Sequence, residues 1–202
     1  VVFCALCGHV CSRKVRKSQT FVWCCRTHLQ SAALCPLKPV SETEIQQAFL
    51  SVYNKLQANQ SYILQPIIDT LLQLRFLQEQ ANSARQTARD DVQRLAKQRH
   101  NLTRIHTLGY IDNAQFLERS IALDQQLREK KKFLSKRTTD NSFERVLFQT
   151  RSIQQQLESS PPLETFDGTI FTKLVNRVQV SPTTIEFKFM NGMTLSEKRS
   201  SL

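Results

Sequence analysis

Acidic residues are missing from the first forty positions, cysteine is missing from the last 167, and glycine is scarce throughout, at four of 202 residues. Each absence excludes something. A fold of many tight turns and short strands needs glycine, and with only six prolines as well the chain reads as rich in long helices rather than sheet. No apolar run approaches the length that crosses a bilayer: the richest, IIDTLLQLRFL, is short and carries Asp69 and Arg75. The expectation is a protein with no membrane role, and cysteines that read as reduced thiols point to the cytoplasm.

What is present is positive charge. The net charge is +11, with 28 Lys and Arg against 17 Asp and Glu. The first forty residues hold Arg13, Lys14, Arg16, Lys17, Arg26 and Lys38. A basic face on a small module is a footprint for phosphates, and each phosphate neutralised makes binding salt-dependent. A basic surface kept for solubility is the plainer reading; the clustering favours nucleic acid. Arg13, Lys14, Arg16, Lys17 and Arg26 are the candidate DNA contacts.

All six cysteines fall within the first thirty-five residues. Disulfides would suit a small oxidised module, but no leader precedes them and the rest of the chain has none. Zinc is favoured. The pair Cys4 and Cys7 forms a C-x2-C knuckle, which aims two thiolates at one ion, and Gly8 behind it suits the positive φ of such a turn. A second pair needs Cys35 and either Cys24 or Cys25. Alternation along QTFVWCC puts Phe21, Trp23 and Cys25 on one face, with the aromatics beside the metal, and Val22 and Cys24 on the other, so Cys25 is chosen. Cys11 reads as a small buried or surface thiol. His9 and His28 have no better-spaced claim. SRKVRKSQ between the knuckles reads as a basic hairpin tip, which makes the module a zinc-stapled β-ribbon.

Beyond it, Ser41 with Glu44 is a capping-box signal, and Ile45, Phe49, Val52 and Leu56 form one apolar stripe. Pro66 is expected to bend or break that helix; Ile67, Leu71, Leu74 and Leu77 resume the pattern. A narrow seam follows at Ala81, Ala84, Ala88, Val92, Leu95, Leu102 and Ile105, flanked by polar residues and interrupted by Arg99. Such a seam suits a coiled coil. Gly109 fits a left-handed helix cap and Asp112 or Asn113 a new helix start. A second stripe runs through Phe116 or Leu117, Ile121, Leu123, Leu127 and Leu134. The simplest geometry is an antiparallel helical hairpin over 83–137 with its turn near 108–113. Nothing in it resembles an active site, and His100 and His106 read as surface residues. The tip offers Leu108, Tyr110, Ile111 and Phe116 either to its own turn or to a partner. Lys130, Lys131, Lys132, Lys136 and Arg137 gather at the end of the second arm, and TTDNS breaks the helix before Phe143, Val146, Leu147 and Ile153 mark another.

The tail changes character. A short helix feeds strands at Arg177–Val180 and Thr184–Phe189, Asn191-Gly192 is a hairpin signal, and Met193–Leu195 reads as a third strand. This piece is too small to fold alone and is expected to pack on the ribbon or the first helices. The predicted class is α+β. Its regions are 1–82 for ribbon and first helices, 83–137 for the hairpin, and 138–202 for a returning helix and strands that complete the first domain.

These residues together resemble the C-terminal region of the large serine recombinases, the phage integrases and transposon recombinases. The resemblance is carried by C-A-L-C-G at Cys4–Gly8, W-x-C at Trp23–Cys25, C-P at Cys35–Pro36, LGYIDNAQFLE at 108–118 and IFTKLVNRVQV with IEFKFMNG at 170–192, in the family's order. It implies that Cys4, Cys7, Cys25 and Cys35 bind zinc and that the ribbon's basic residues contact a double-stranded DNA attachment site. It implies that the hairpin tip meets the tip of another subunit, and that a directionality factor binds near the hairpin. The host compartment would be a bacterial cytoplasm. The family's catalytic serine and arginines have no counterpart in this stretch, so cleavage would belong to a longer parent, as the abrupt start also implies. Cys24 beside Cys25 and the extra Cys11 depart from the pattern. Two other classes compete. A zinc-anchored coiled-coil interaction scaffold is disfavoured by its single ligand set and the β tail. A metalloenzyme is disfavoured because four cysteines close the zinc shell.

Overall fold

The computed structural model describes residues 1–16, 18–135 and 142–199. The fold is α+β, and the chain divides into two compact units: residues 1–71 with 144–202, and residues 72–143.

The first unit opens with β1 (Val2–Cys4), β2 (Cys11–Val15) and β3 (Phe21–Cys25), followed by α1 (Arg26–Gln30), β4 (Val40–Ser41) and α2 (Glu42–Ala58). Strands β2, β3 and β4 form one antiparallel sheet, in which Cys11 faces Cys25 and Trp23 faces Val40. Ser41 caps α2, its hydroxyl accepting from the Glu44 amide at 3.0 Å. The Glu44 carboxylate does not turn back to close a capping box; it takes Arg199, at 2.9 Å, and so ties the start of α2 to the end of the chain.

The chain returns to this unit through α5 (Ser142–Ser159), α6 (Gly168–Leu174), β5 (Val175–Val180), β6 (Thr184–Phe189) and β7 (Thr194–Lys198). The second sheet has the order β1-β5-β6-β7. Its β1–β5 pair is parallel, Val2 opposite Val178 and Cys4 opposite Val180, so the strand entering the first cysteine knuckle is built into the tail's sheet. The stripe Ile45, Phe49, Val52 and Leu56 on α2 is fully buried. Phe49 sits at its centre, with ring centroids 5.0 Å from Phe171 and 5.9 Å from Phe187. Aromatic edges and faces thus lock an early helix against late elements. Thr150 of α5 and Asn191 in the β6–β7 turn are both buried and hydrogen-bonded, the amide donating at 3.1 Å.

The helix break falls at Asn59, not at Pro66. Asn59 donates from its side chain to the Lys55 carbonyl at 2.8 Å, and its own carbonyl accepts from Tyr62 and Ile63 to start α3 (Gln60–Thr107). Pro66 lies in the second turn of α3, where it forfeits one helical bond. The apolar phase of α3 is therefore set by Leu64, Ile68 and Leu71, all buried, while Leu74 and Leu77 are exposed.

The second unit holds residues from 72 onward in α3 and all of α4 (Asn113–Ser135). Ala88, Leu95 and Leu102 on α3 and Leu127 on α4 are its buried seam. Polar contacts give the antiparallel register: Arg85 donates to the Leu134 carbonyl at 2.8 Å, Lys130 pairs with Asp91 at 2.8 Å and Arg99 with Asp124 at 3.2 Å. Arg99, which interrupts the apolar seam, is thereby paired across it. Between the helices Gly109 takes a φ of +78°, and the Tyr110 amide donates to Ile105 at 3.0 Å, closing α3 in a left-handed cap. Asp112 starts α4 by accepting from the Gln115 amide at 2.8 Å. Among the described residues, no helix is long and apolar enough to cross a membrane.

Candidate metal centre and nucleic-acid interface

Cys4, Cys7, Cys25 and Cys35 come from four local settings. Cys4 ends β1 and Cys7 lies in the turn after it; Cys25 ends β3 and precedes α1; Cys35 lies in the loop before β4. The first knuckle is closed by the Gly8 amide donating to the Cys4 carbonyl and the Cys4 amide to the His9 carbonyl, both at 2.9 Å, with Gly8 at a φ of +73°. That left-handed conformation is strained for any residue with a Cβ. The four Sγ atoms all lie within 4.8 Å of one another. Cys4 and Cys35 are 3.5 Å apart and Cys7 and Cys25 3.3 Å, well beyond a disulfide bond of about 2.05 Å. Tetrahedral thiolates on zinc at about 2.3 Å would stand roughly 3.8 Å from each other, so the set fits that ion.

The electrostatics ask for a cation. Burial pushes the Cys4 thiol up to about 12, and burial also raises Cys35. Cys7 is drawn down to about 5, chiefly by the Thr27 hydroxyl 3.5 Å away. Buried sulfurs this close become thiolates together only when a metal compensates their charge and desolvation.

Cys24 and Cys11 lie outside the quartet. Cys24 is buried on the face of β3 away from the core that holds Cys25, and burial raises its thiol. Cys11 is buried opposite Cys25 and raised to about 12 by the same cause. His28 is not one of the gathered donors. Its Nδ1 lies 2.7 Å from the Cys35 carbonyl, where it holds the second knuckle in place. Trp23 packs on the core beside the cysteines, but Phe21 does not: it sits at the open end of β3, half out of the protein, under the Arg13 guanidinium at 3.6 Å.

The basic candidates separate by what they touch. Arg13 is engaged: besides Phe21 it makes a two-pronged pair with Glu42, one prong at 2.8 Å. Spacing gave no sign of this pair, because Glu42 opens α2, twenty-nine residues further along the chain. Lys14 and Arg16 are exposed on the β2–β3 hairpin, and Arg26 is exposed beside it, donating to Ser12 at 3.1 Å. Lys17, like Lys136 and Arg137 of the second cluster and the TTDN stretch after it, lies outside the described residues.

At the helical turn, Leu108 and Tyr110 are 62% and 77% exposed, whereas Ile111 and Phe116 are half-buried. Phe116 stacks on His106 at 4.2 Å, and His106 Nε2 lies 2.7 Å from the Asn113 side chain. His106 is thus part of the turn's own packing, and the outward surface belongs to Leu108 and Tyr110.

No curated protein and no solved structure matches the chain. Residues 1–54 match the family model described as the recombinase zinc beta ribbon domain. That stretch contains the whole cysteine quartet, the β2–β3 hairpin and most of α2, so it is this part of the chain that is similar to a recombinase zinc ribbon.

Proposed function

We propose that this chain is the DNA-binding and synapsis-regulating part of a site-specific serine recombinase, an integrase that joins phage and host attachment sites in a bacterial cytoplasm. The observation that carries the reading is the gathering of four sulfurs within 4.8 Å inside a stretch matching a recombinase zinc ribbon. In this reading Cys4, Cys7, Cys25 and Cys35 hold one zinc ion. Bound zinc supplies folding energy and no reactive position, since four thiolates close its shell.

The ribbon's hairpin then offers cations to duplex DNA. Lys14, Arg16 and Arg26 contact phosphates, joined by Lys17. Arg13, already paired with Glu42, stiffens the hairpin's base and adds to its field. The exposed Leu108 and Tyr110, supported by Ile111 and Phe116, meet the same turn on another subunit and bridge DNA-bound dimers. A directionality factor binding beside the helical hairpin redirects that contact. In this division of labour ribbon and tail (1–82 and 138–202) bind DNA as one body, and the hairpin (83–137) is a coiled coil that handles protein contacts.

Titration of the chain against duplex DNA in stepped salt tests the reading. Steep loss of affinity with salt, and further loss on chelation or in a Lys14→Gln, Arg16→Gln variant, is expected. DNA binding that ignores salt, or no DNA binding at all, contradicts it and leaves the interaction-scaffold reading standing.

A further inference from the structure

Half of the chain's 28 Lys and Arg lie in residues 72–143, against eight Asp and Glu. Two of those acids are used where α3 and α4 meet: Asp91 pairs with Arg94 and Lys130, and Asp124 with Arg99. On the other side of α3, Arg89, Lys97, His100 and Arg104 fall within about 80° of arc, roughly opposite the buried line of Ala88, Leu95 and Leu102. All four are exposed, and among the described residues none of them has an acid partner. Asp90 flanks the stripe but accepts from Gln86 at 3.0 Å.

We infer that this outward face of α3 is a second nucleic-acid contact, a stripe that lies along the phosphate backbone of duplex DNA. The inference rests on the DNA-binding reading of the ribbon and extends it to a surface otherwise assigned only to protein contacts. Like charges on one helix face repel, a cost that a polyanion removes. From Arg89 to Arg104 the stripe rises fifteen steps of helix, about 22 Å at 1.5 Å each, long enough to meet several phosphates. The absence of an apolar anchor decides against other acidic partners. Gln93, Ala96 and Asn101 lie along or beside the stripe, with no aromatic or large aliphatic side chain for a protein hot spot or for insertion into a bilayer. Nucleic-acid interfaces are polar and cationic, as this face is.

The test compares three proteins on one random-sequence duplex, with affinity measured by fluorescence anisotropy from 50 to 200 mM salt. They are the unaltered chain, Arg89→Gln with Lys97→Gln and Arg104→Gln, and a control of equal charge on α4, Arg119→Gln with Arg128→Gln and Lys132→Gln. Three lost phosphate contacts lower the salt slope by about 2.7, so the unaltered chain should lose about forty-fold more affinity across that range than the stripe variant. The control slope should move by less than about one contact, roughly 0.9. An unchanged slope in the stripe variant, or equal drops in stripe variant and control, overturns the inference while leaving ribbon binding intact. Failure of the unaltered chain to bind DNA instead sinks the reading on which it rests. Helical content by circular dichroism, expected to be the same in all three, shows that glutamine has not unfolded α3; a variant that loses helix is replaced by the matching Lys97→Gln single change, whose slope should fall by about 0.9 and whose constancy counts against the stripe.

Discussion

Val2 lies opposite Val178 in a parallel strand pair, although the two come from opposite ends of the chain. The contact makes the cysteine centre depend on the tail: β1 ends at Cys4, and its register with β5 puts Cys4 opposite the fully buried Val180. A carboxylate at position 178, which is 1% exposed, would be buried without a partner and cost about 3–5 kcal/mol. Val178→Asp should therefore surrender zinc to a chelator faster than the unaltered chain, although it changes no cysteine. Equal rates of metal loss would show that the knuckle is independent of the tail.

The helical hairpin should weaken in acid for a definite reason. The Lys130 ammonium and the Arg94 guanidinium hold the Asp91 carboxyl below its ordinary value of 3.8. A carboxyl whose folded value is depressed contributes stability above its unfolded value and loses it as pH falls through the folded one. Thermal unfolding of the helices should shift to lower temperature below about pH 4, and Asp91→Asn should flatten that dependence. An Asn variant that keeps the full acid sensitivity would assign it elsewhere.

Tyr110, exposed beyond the left-handed cap at Gly109, should act between subunits rather than on DNA. Tyr110→Asp is expected to weaken association of DNA-bound dimers by at least tenfold while shifting DNA affinity less than about twofold, because a buried charge at an apolar contact costs more than about 1.4 kcal/mol. Equal damage to both in a gel-shift assay would refute that division.

The sequence carries the local features of this molecule and misses particular long-range pairings, for physical reasons. The grouping of Cys4, Cys7, Cys25 and Cys35 is written in knuckle spacing and in strand alternation, which sends Cys25 to the core and Cys24 away from it. The α2 stripe is likewise a matter of helical period. Pairing between β1 and β5 leaves no comparable trace, since a three-residue strand specifies no partner until the other sheet edge exists. The break at Asn59 was hidden by Pro66, because a proline early in a helix is tolerated better than its reputation suggests, while an asparagine that satisfies a terminal carbonyl looks like any other polar residue. Arg13 reads as a free cation only until α2 brings Glu42 beneath it, and the same packing leaves Phe21 at the surface as its platform rather than beside the sulfurs.

Metal content per chain after gel filtration tests the central claim most directly, because four sulfurs within 4.8 Å define a single complete ligand set and Cys24 stands outside it. The account predicts one zinc in the unaltered chain, one in Cys24→Ser, and a large loss in Cys4→Ser and Cys25→Ser, with most of the helical signal surviving the loss. No zinc in the unaltered chain, or a Cys24→Ser variant that loses it while Cys25→Ser keeps it, would contradict the account.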